Sequence, residues 1–246
     1  MDVLRRLNRG ADQTVNLMEV IAVDQSRLIK ALFPAASHRE QQIQSPRLLE
    51  RMVAGADILI AALGTDIWDA APTWTSDIAR GWAAMAVGRL REAPLDERLR
   101  LALPFALDPH FAVREWAWLG VRSHIAADTR RALRILADVA DHRSPYARRF
   151  ACEATRPIGV WSQHITTLRR DPSPALPLLE RLRADQAKYV RLSFGNWLND
   201  ASRDNPSWVR DICHAWSLQD ASPDVYRRAT RTLRRRGTEV KPAPTL

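Results

Sequence analysis

The sequence predicts an all-α chain built from repeated helix pairs. Three observations carry this. Only 9 glycines occur among 246 residues, and Ala, Leu and Arg dominate, a composition of strong helix formers. Apolar residues recur at helical spacing almost to the end, and few segments alternate strictly or hold β-branched runs. A unit of turn, small or apolar residue, arginine and apolar or aromatic helix recurs at Ile78-Ala-Arg80-Gly-Trp82, Ala112-Val-Arg114-Glu-Trp116, Tyr146-Ala-Arg148-Arg-Phe150, Tyr189-Val-Arg191-Leu-Ser and Val225-Tyr-Arg227-Arg-Ala. The arginines stand 34, 34, 43 and 36 residues apart. Periods of that size with paired helices mark an α-solenoid of antiparallel helix pairs, HEAT or armadillo-like, whose second helices line a concave groove. Here that groove is expected to be basic.

Helices are expected over Val15–Phe33, Arg47–Leu63, Ser76–Leu90, Leu95–Leu107, Ala112–His124 and Thr129–Asp141. Further helices are expected over Pro145–Arg156, Ser162–Arg170, Ala175–Arg183, Lys188–Arg203, Ser207–Trp216 and Pro223–Arg235. At Asp108-Pro109, Ser144-Pro145, Asn205-Pro206 and Ser222-Pro223, and in Asp171-Pro-Ser-Pro174, a capping side chain precedes a proline at or near a helix start. Glu40–Pro46 and Thr65–Thr73 read as longer loops. Residues 1–237 read as a single HEAT-like repeat domain, and residues 238–246 as a frayed tail.

The net charge is +9. The excess is arginine, since lysine stands only at Lys30, Lys188 and Lys241. A basic balance of this size points to a polyanionic partner, nucleic acid before anionic membrane. Cys152 and Cys213 are far apart and form no ligand or disulfide pattern, which fits a reducing compartment. The N-terminus lacks the apolar core of a signal peptide, and no apolar run approaches a membrane span. A cytoplasmic, nucleoid-associated protein is expected. Gly-rich phosphate loops, a Gly-x-Ser-x-Gly elbow and metal-ligand spacing are all missing, so metals and cofactors are not expected. His110 reads as a structural residue at a helix entry.

Three acids stand after the repeated arginine at a spacing of one, five and nine residues: Glu115 after Arg114, Glu153 after Arg148 and Asp200 after Arg191. Steps of four residues stay roughly on one helix face. Stacked helices would gather these acids with Arg122, Arg149, Arg156, Asn196 and Asn199, while Trp116, Phe194 and Trp197 pack behind. Of the 9 tryptophans, most sit at core spacing. Trp118 and Trp161 are the exceptions expected to flank the acids, where an indole can meet a sugar or a cationic base. The residues alone leave three readings open: a polar cleft for chemistry, a non-catalytic nucleic-acid-binding solenoid, and a protein-interaction scaffold whose Arg and Glu rows form a structural ion-pair ladder.

Four segments narrow this: Ser76-Asp-Ile-Ala-Arg-Gly-Trp-Ala-Ala84, Asp108-Pro-His-Phe-Ala-Val-Arg-Glu-Trp-Ala-Trp118, Phe150-Ala-Cys-Glu-Ala-Thr-Arg-Pro157 and Tyr189-Val-Arg with Asn196-Trp-Leu-Asn-Asp200. Over roughly residues 15–236 the chain resembles the bacterial DNA alkylation repair glycosylases built from HEAT-like repeats, closer to the AlkC branch than to AlkD. The resemblance implies hydrolysis of the N-glycosidic bond of cationic alkylated bases in DNA, such as 3-methyladenine and 3-methylcytosine. A cationic base is already a good leaving group. The enzyme must supply negative charge as oxocarbenium character develops, and a carboxylate to position or deprotonate water. Carried over by motif, the acids are Glu115, Glu153 and Asp200, with Asp200 or Glu153 as the water-orienting base. Trp118 and Trp161 would contact the lesion sugar or backbone. The implied partner is double-stranded alkylated DNA, and the expected working unit is a monomer. The third motif departs from the usual Val-Ala-Asn-His-Leu-Asn-Asp by reading Phe194-Gly-Asn-Trp-Leu-Asn-Asp200. The immunoglobulin-like domain of several AlkC proteins is not expected within these 246 residues, which leaves DNA grip to arginines.

Overall fold

The structure, a computed structural model, describes residues 2–159 and 161–237, so the expected tail at 238–246 lies outside the described residues. Among the described residues the chain is helical throughout and forms no strand. Among the described residues no helix is long and apolar enough to cross a membrane. It divides into two compact units, Met1–Val121 and Arg122–Leu246.

In the first unit, the helix Asp77–Ala86 is buried at every position and packs against Leu48–Leu63. Trp82 is fully buried, and its indole N–H donates to Gln25 Oε1 at 3.0 Å. The buried Asp77 accepts from the backbone N–H and hydroxyl of Thr14 at 2.9 and 2.8 Å. His110, 9% exposed, bonds the Thr14 carbonyl through Nε2 at 2.6 Å, a structural tie at a helix entry. The helix expected over Val15–Phe33 forms as two, Leu17–Ala22 and Gln25–Leu32. Asp24 causes the break: its carboxylate accepts from the N–H groups of Ser26 and Arg27, both at 3.1 Å, which starts a new helix. The expected loops Glu40–Pro46 and Thr65–Thr73 are largely taken up by short helical turns.

Gly88 and Gly120 let two backbones meet. A Cβ on Gly88 would lie 1.8 Å from the Gly120 carbonyl oxygen, so no side-chain rotation could relieve the clash. Gly88→Ala is expected to destabilise by about 1–3 kcal/mol, the usual cost of overpacking. A thermal melt unchanged from wild type would refute that close approach.

In the second unit, Pro145–Ala154 packs against Lys188–Ala201, and Lys188–Ala201 against Pro223–Ala229. We call the first two the Arg148 and Arg191 helices. Thr129–Val139 and Leu176–Leu182 pack on each other as outer helices. Ser144 caps the Arg148 helix as expected, accepting from the Tyr146 N–H at 3.3 Å. Asn205 and Ser222 stand at cap positions without a side-chain capping bond. Asn205 instead donates to the Arg169 carbonyl at 2.7 Å.

The repeated arginine acts as a staple within each unit. Arg80 donates to the carbonyls of Trp74 and Thr75, both at 2.8 Å, and reaches Asp108 at 2.7 and 3.2 Å. Arg148 donates to the carbonyls of His142 and Arg143 at 2.9 and 3.0 Å and to Asp185 at 2.5 and 3.0 Å. Arg191 bonds the Gln186 carbonyl at 2.7 Å and Asp224 at 3.1 Å. Each guanidinium thus closes the turn before its own helix and holds an acid near the start of a later one. Asp108 and Asp185 in turn accept the N–H groups of His110 and Ala187 at 2.7 and 2.8 Å. The aligned arginine is therefore structural, and it sets the register of its own helix.

Candidate active site

The Arg148 and Arg191 helices bring Glu153 and Asp200 to one guanidinium. Arg156 donates to Glu153 Oε2 from Nη1 at 3.0 Å, and to Asp200 Oδ2 from Nε and Nη2, both at 2.8 Å. Both Asp200 contacts fall on Oδ2, so Oδ1 stands outside the bridge. Arg149 places Nη2 at 3.5 Å from Glu153 Oε1 and its guanidinium 4.4 Å from the Tyr189 ring centroid. Sequence spacing suggested an open, solvent-facing row of acids. Instead Glu153 is 4% and Asp200 2% exposed, with Arg149 paired to Glu153 and Arg156 to both acids.

Electrostatics follow from that burial. Asp200 is held above its ordinary carboxylate range, first by burial, with the nearby Arg156 charge opposing. For Arg156, burial disfavours the charge, but Glu153 and Asp200 outweigh it and keep the guanidinium firmly protonated. Two acids thus meet two cations, Arg156 between them and Arg149 on Glu153 alone, in a site of restricted water. Such a site strengthens any interaction with developing positive charge.

The other expected site residues scatter more widely. Arg122 is 1% exposed and donates to the carbonyls of Gln163, Ala154 and Arg156 at 3.0, 2.7 and 2.5 Å. Its pKa is pushed down to about 10, by burial first and by Arg156 second. That differs from the expected DNA-facing role. Arg122 fastens the segment after the Arg148 helix, because three carbonyls there would otherwise lack donors. Asn199, also fully buried, accepts from the backbone N–H and hydroxyl of Thr232, both at 3.0 Å. It ties the Arg191 helix to the next repeat rather than facing solvent. Asn196 is half-buried and accepts from Arg228 at 3.2 Å.

Glu115 belongs to the first unit and is half-buried. Its Oε2 accepts from the Trp118 indole N–H at 2.9 Å. Trp118 is 6% exposed, so it orients Glu115 rather than presenting an open ring face. Trp161 is the reverse, 55% exposed with a left-handed backbone at φ +60°. A non-glycine residue there costs about 1–2 kcal/mol. Trp197 replaces the family histidine without entering the acid pair. Its indole N–H donates to the Thr155 carbonyl at 3.1 Å, packing behind the site as expected for that face.

Sequence spacing identified the acids but missed two features. One is the double use of Arg156, whose i, i+3 pairing with Glu153 was visible while its reach to Asp200 was not. The other is Arg228, which lies one repeat beyond Asn196.

Comparison with known proteins accords with this architecture. A family model described as DNA alkylation repair enzyme matches residues 113–239, just over half of the chain. The uncharacterized protein YhaZ of Bacillus subtilis is 36% identical over 118 residues, 48% of this chain and 33% of YhaZ. The structure of Pseudomonas fluorescens alkylpurine DNA glycosylase AlkC, bound to DNA containing an abasic site analog, superposes with a TM-score of 0.69 at 21% identity. That match covers 94% of this chain and 64% of AlkC. The structure of smu.31 from Streptococcus mutans gives a TM-score of 0.59 at 22% identity, covering 72% of this chain and 90% of its own. The chain therefore spans a third of YhaZ and slightly under two thirds of AlkC. The structural likenesses establish a shared helical-repeat fold, and the extent of the family match establishes kinship: the chain belongs to the DNA alkylation repair enzyme family.

Proposed function

We propose that the chain is a DNA glycosylase that hydrolyses the N-glycosidic bond of cationic alkylated bases, 3-methyladenine and 3-methylcytosine among them. One observation carries the reading most: two buried carboxylates from neighbouring repeats converge on a single arginine, and one Asp200 oxygen, Oδ1, stands outside that bridge. An oxocarbenium-like sugar needs carboxylates close by, and its attacking water needs a base. Asp200 is the base in this reading, because burial raises its proton affinity and Oδ1 stands outside the bridge. Glu153 stabilises charge. Glu115 has its own support, since the resemblance assigns it to the same chemistry, and Glu115→Gln tests it separately. The cationic base departs without protonation, so the scheme calls for no metal or cofactor.

The decisive experiment is release of 3-methyladenine and 3-methylcytosine from methylated duplex DNA. Salt-sensitive DNA binding without base release would instead favour a non-catalytic reader of damaged DNA.

Trp161 gives a second, independent test. An exposed indole held in a strained conformation suits a lesion contact. Trp161→Gly is expected to raise stability by up to roughly 1 kcal/mol by relieving the strain, while base release falls by about tenfold or more, the order of a lost stacking contact. Unchanged release in a folded variant would remove Trp161 from the site.

A further inference from the structure

Six arginines crowd residues 227–236: Arg227, Arg228, Arg231, Arg234, Arg235 and Arg236. They lie on the helices Pro223–Ala229 and Arg231–Arg235 and the residue after them. Several other arginines of this unit meet acids, as Arg148 meets Asp185, Arg169 meets Asp204 and Arg191 meets Asp224. Among the described residues, none of the six forms an ion pair.

Three are nevertheless held in place, by neutral groups. Arg228 donates to Asn196 Oδ1 at 3.2 Å, Arg236 to the Arg203 carbonyl at 2.9 Å, and Arg234 to the Arg227 carbonyl. A carbonyl orients a guanidinium without neutralising it. Among the described residues the arrangement therefore fixes positive charge with no acid at ion-pair distance, which costs self-repulsion that a polyanion would relieve.

Gly195 makes the Arg228 placement possible. A Cβ there would lie 2.9–3.1 Å from the Cβ, Cγ and Cδ of Arg228. With only hydrogen at Gly195, the stem of Arg228 lies across the Arg191 helix and its head reaches Asn196, one turn before Asp200.

The geometry points to this C-terminal helical pair as a clamp for the phosphodiester backbone of duplex DNA, registered to the acid-bearing helix through Arg228. It rests on the DNA-directed function proposed above. A duplex is favoured over an anionic membrane because membrane binding of a basic helix also needs apolar side chains to insert. No large exposed apolar residue lies within 223–237. Arginine also suits phosphate through its planar, forked donors.

The test measures binding of the full chain to a short undamaged duplex over a range of salt. Three proteins are compared with wild type: Arg231→Gln/Arg234→Gln/Arg235→Gln, the same three positions changed to Lys, and Arg228→Gln. Each lost phosphate contact should reduce the slope of log affinity against log salt by about 0.9. The triple Gln variant should lose roughly 2–3 from the slope, and Arg228→Gln about 0.9, while the Lys variant keeps the wild-type slope. Should the triple Gln variant unfold, the Arg228→Gln slope decides. Unchanged slopes in folded Gln variants would overturn the clamp. So would competition by polyglutamate as effective as competition by DNA, which would make the surface a protein-docking patch. Base release is scored separately. Wild type that binds with the expected slopes but releases no base would sink the proposed chemistry and leave the clamp standing.

Discussion

Asp200→Asn is expected to reduce base release from methylated duplex DNA by roughly 10²- to 10⁴-fold, the range for losing a positioned acid–base group. The substitution keeps shape and removes only charge. Asp200 must be ionised to orient or deprotonate water, and burial raises its pKa above the ordinary 3.8. The single-turnover rate of wild type should therefore rise with pH through a carboxylate limb displaced upward from that value. In Asp200→Asn this limb should vanish and leave a low rate independent of that titration. Stability should track the same group with the opposite trend. A raised folded-state pKa means the folded protein holds the proton more tightly than the unfolded chain. The Asp200 contribution is thus most favourable below the unfolded carboxylate pKa and is lost as pH rises through the folded one. Equal release rates in wild type and Asp200→Asn would sink the assignment.

Arg156→Gln should give the largest loss of stability. It strips the shared cation from two buried carboxylates, and breaking a buried pair from one side costs about 3–5 kcal/mol. For a chain of this length that is a fall in melting temperature on the order of 10 °C. Removing the acids as well should restore much of it, since the cost lies in the orphaned charges. Arg156→Gln/Glu153→Gln/Asp200→Asn should therefore melt well above Arg156→Gln while remaining inactive. If Arg156→Gln melts within about 1 kcal/mol of wild type, well short of the cost of a broken buried pair, the three side chains do not share a buried site in solution.

The repeats were legible because each one needs the same things. Arg80, Arg114, Arg148 and Arg191 recur where a guanidinium must satisfy carbonyls of the preceding turn, so the period could be read from arginines alone. The back faces were legible for the same reason: Trp116, Phe194 and Trp197 fall at offsets that must be buried, and all three are. What the periodicity missed was local. Asp24 interrupts a continuous apolar pattern because a carboxylate accepting two N–H groups ends one helix and starts another. Arg122 and Asn199 sit on the expected polar face, yet the segments beside them cover them. Helical phase specifies direction and says nothing of what arrives from elsewhere.

Charge, repeat period and the motif acids are properties of single segments, and the sequence by itself determined them: an all-α, arginine-rich repeat chain carrying Glu115, Glu153 and Asp200 in family motifs. Partnership is a property of segments brought together. Only the tertiary structure decided that Arg156 joins Glu153 to Asp200, that Arg122 serves backbone carbonyls, and that Arg228 crosses Gly195 to reach Asn196. The physical reason is range. A helix fixes neighbours three and four residues away, whereas Arg156 and Asp200 are 44 residues apart and meet only because one repeat stacks on the next.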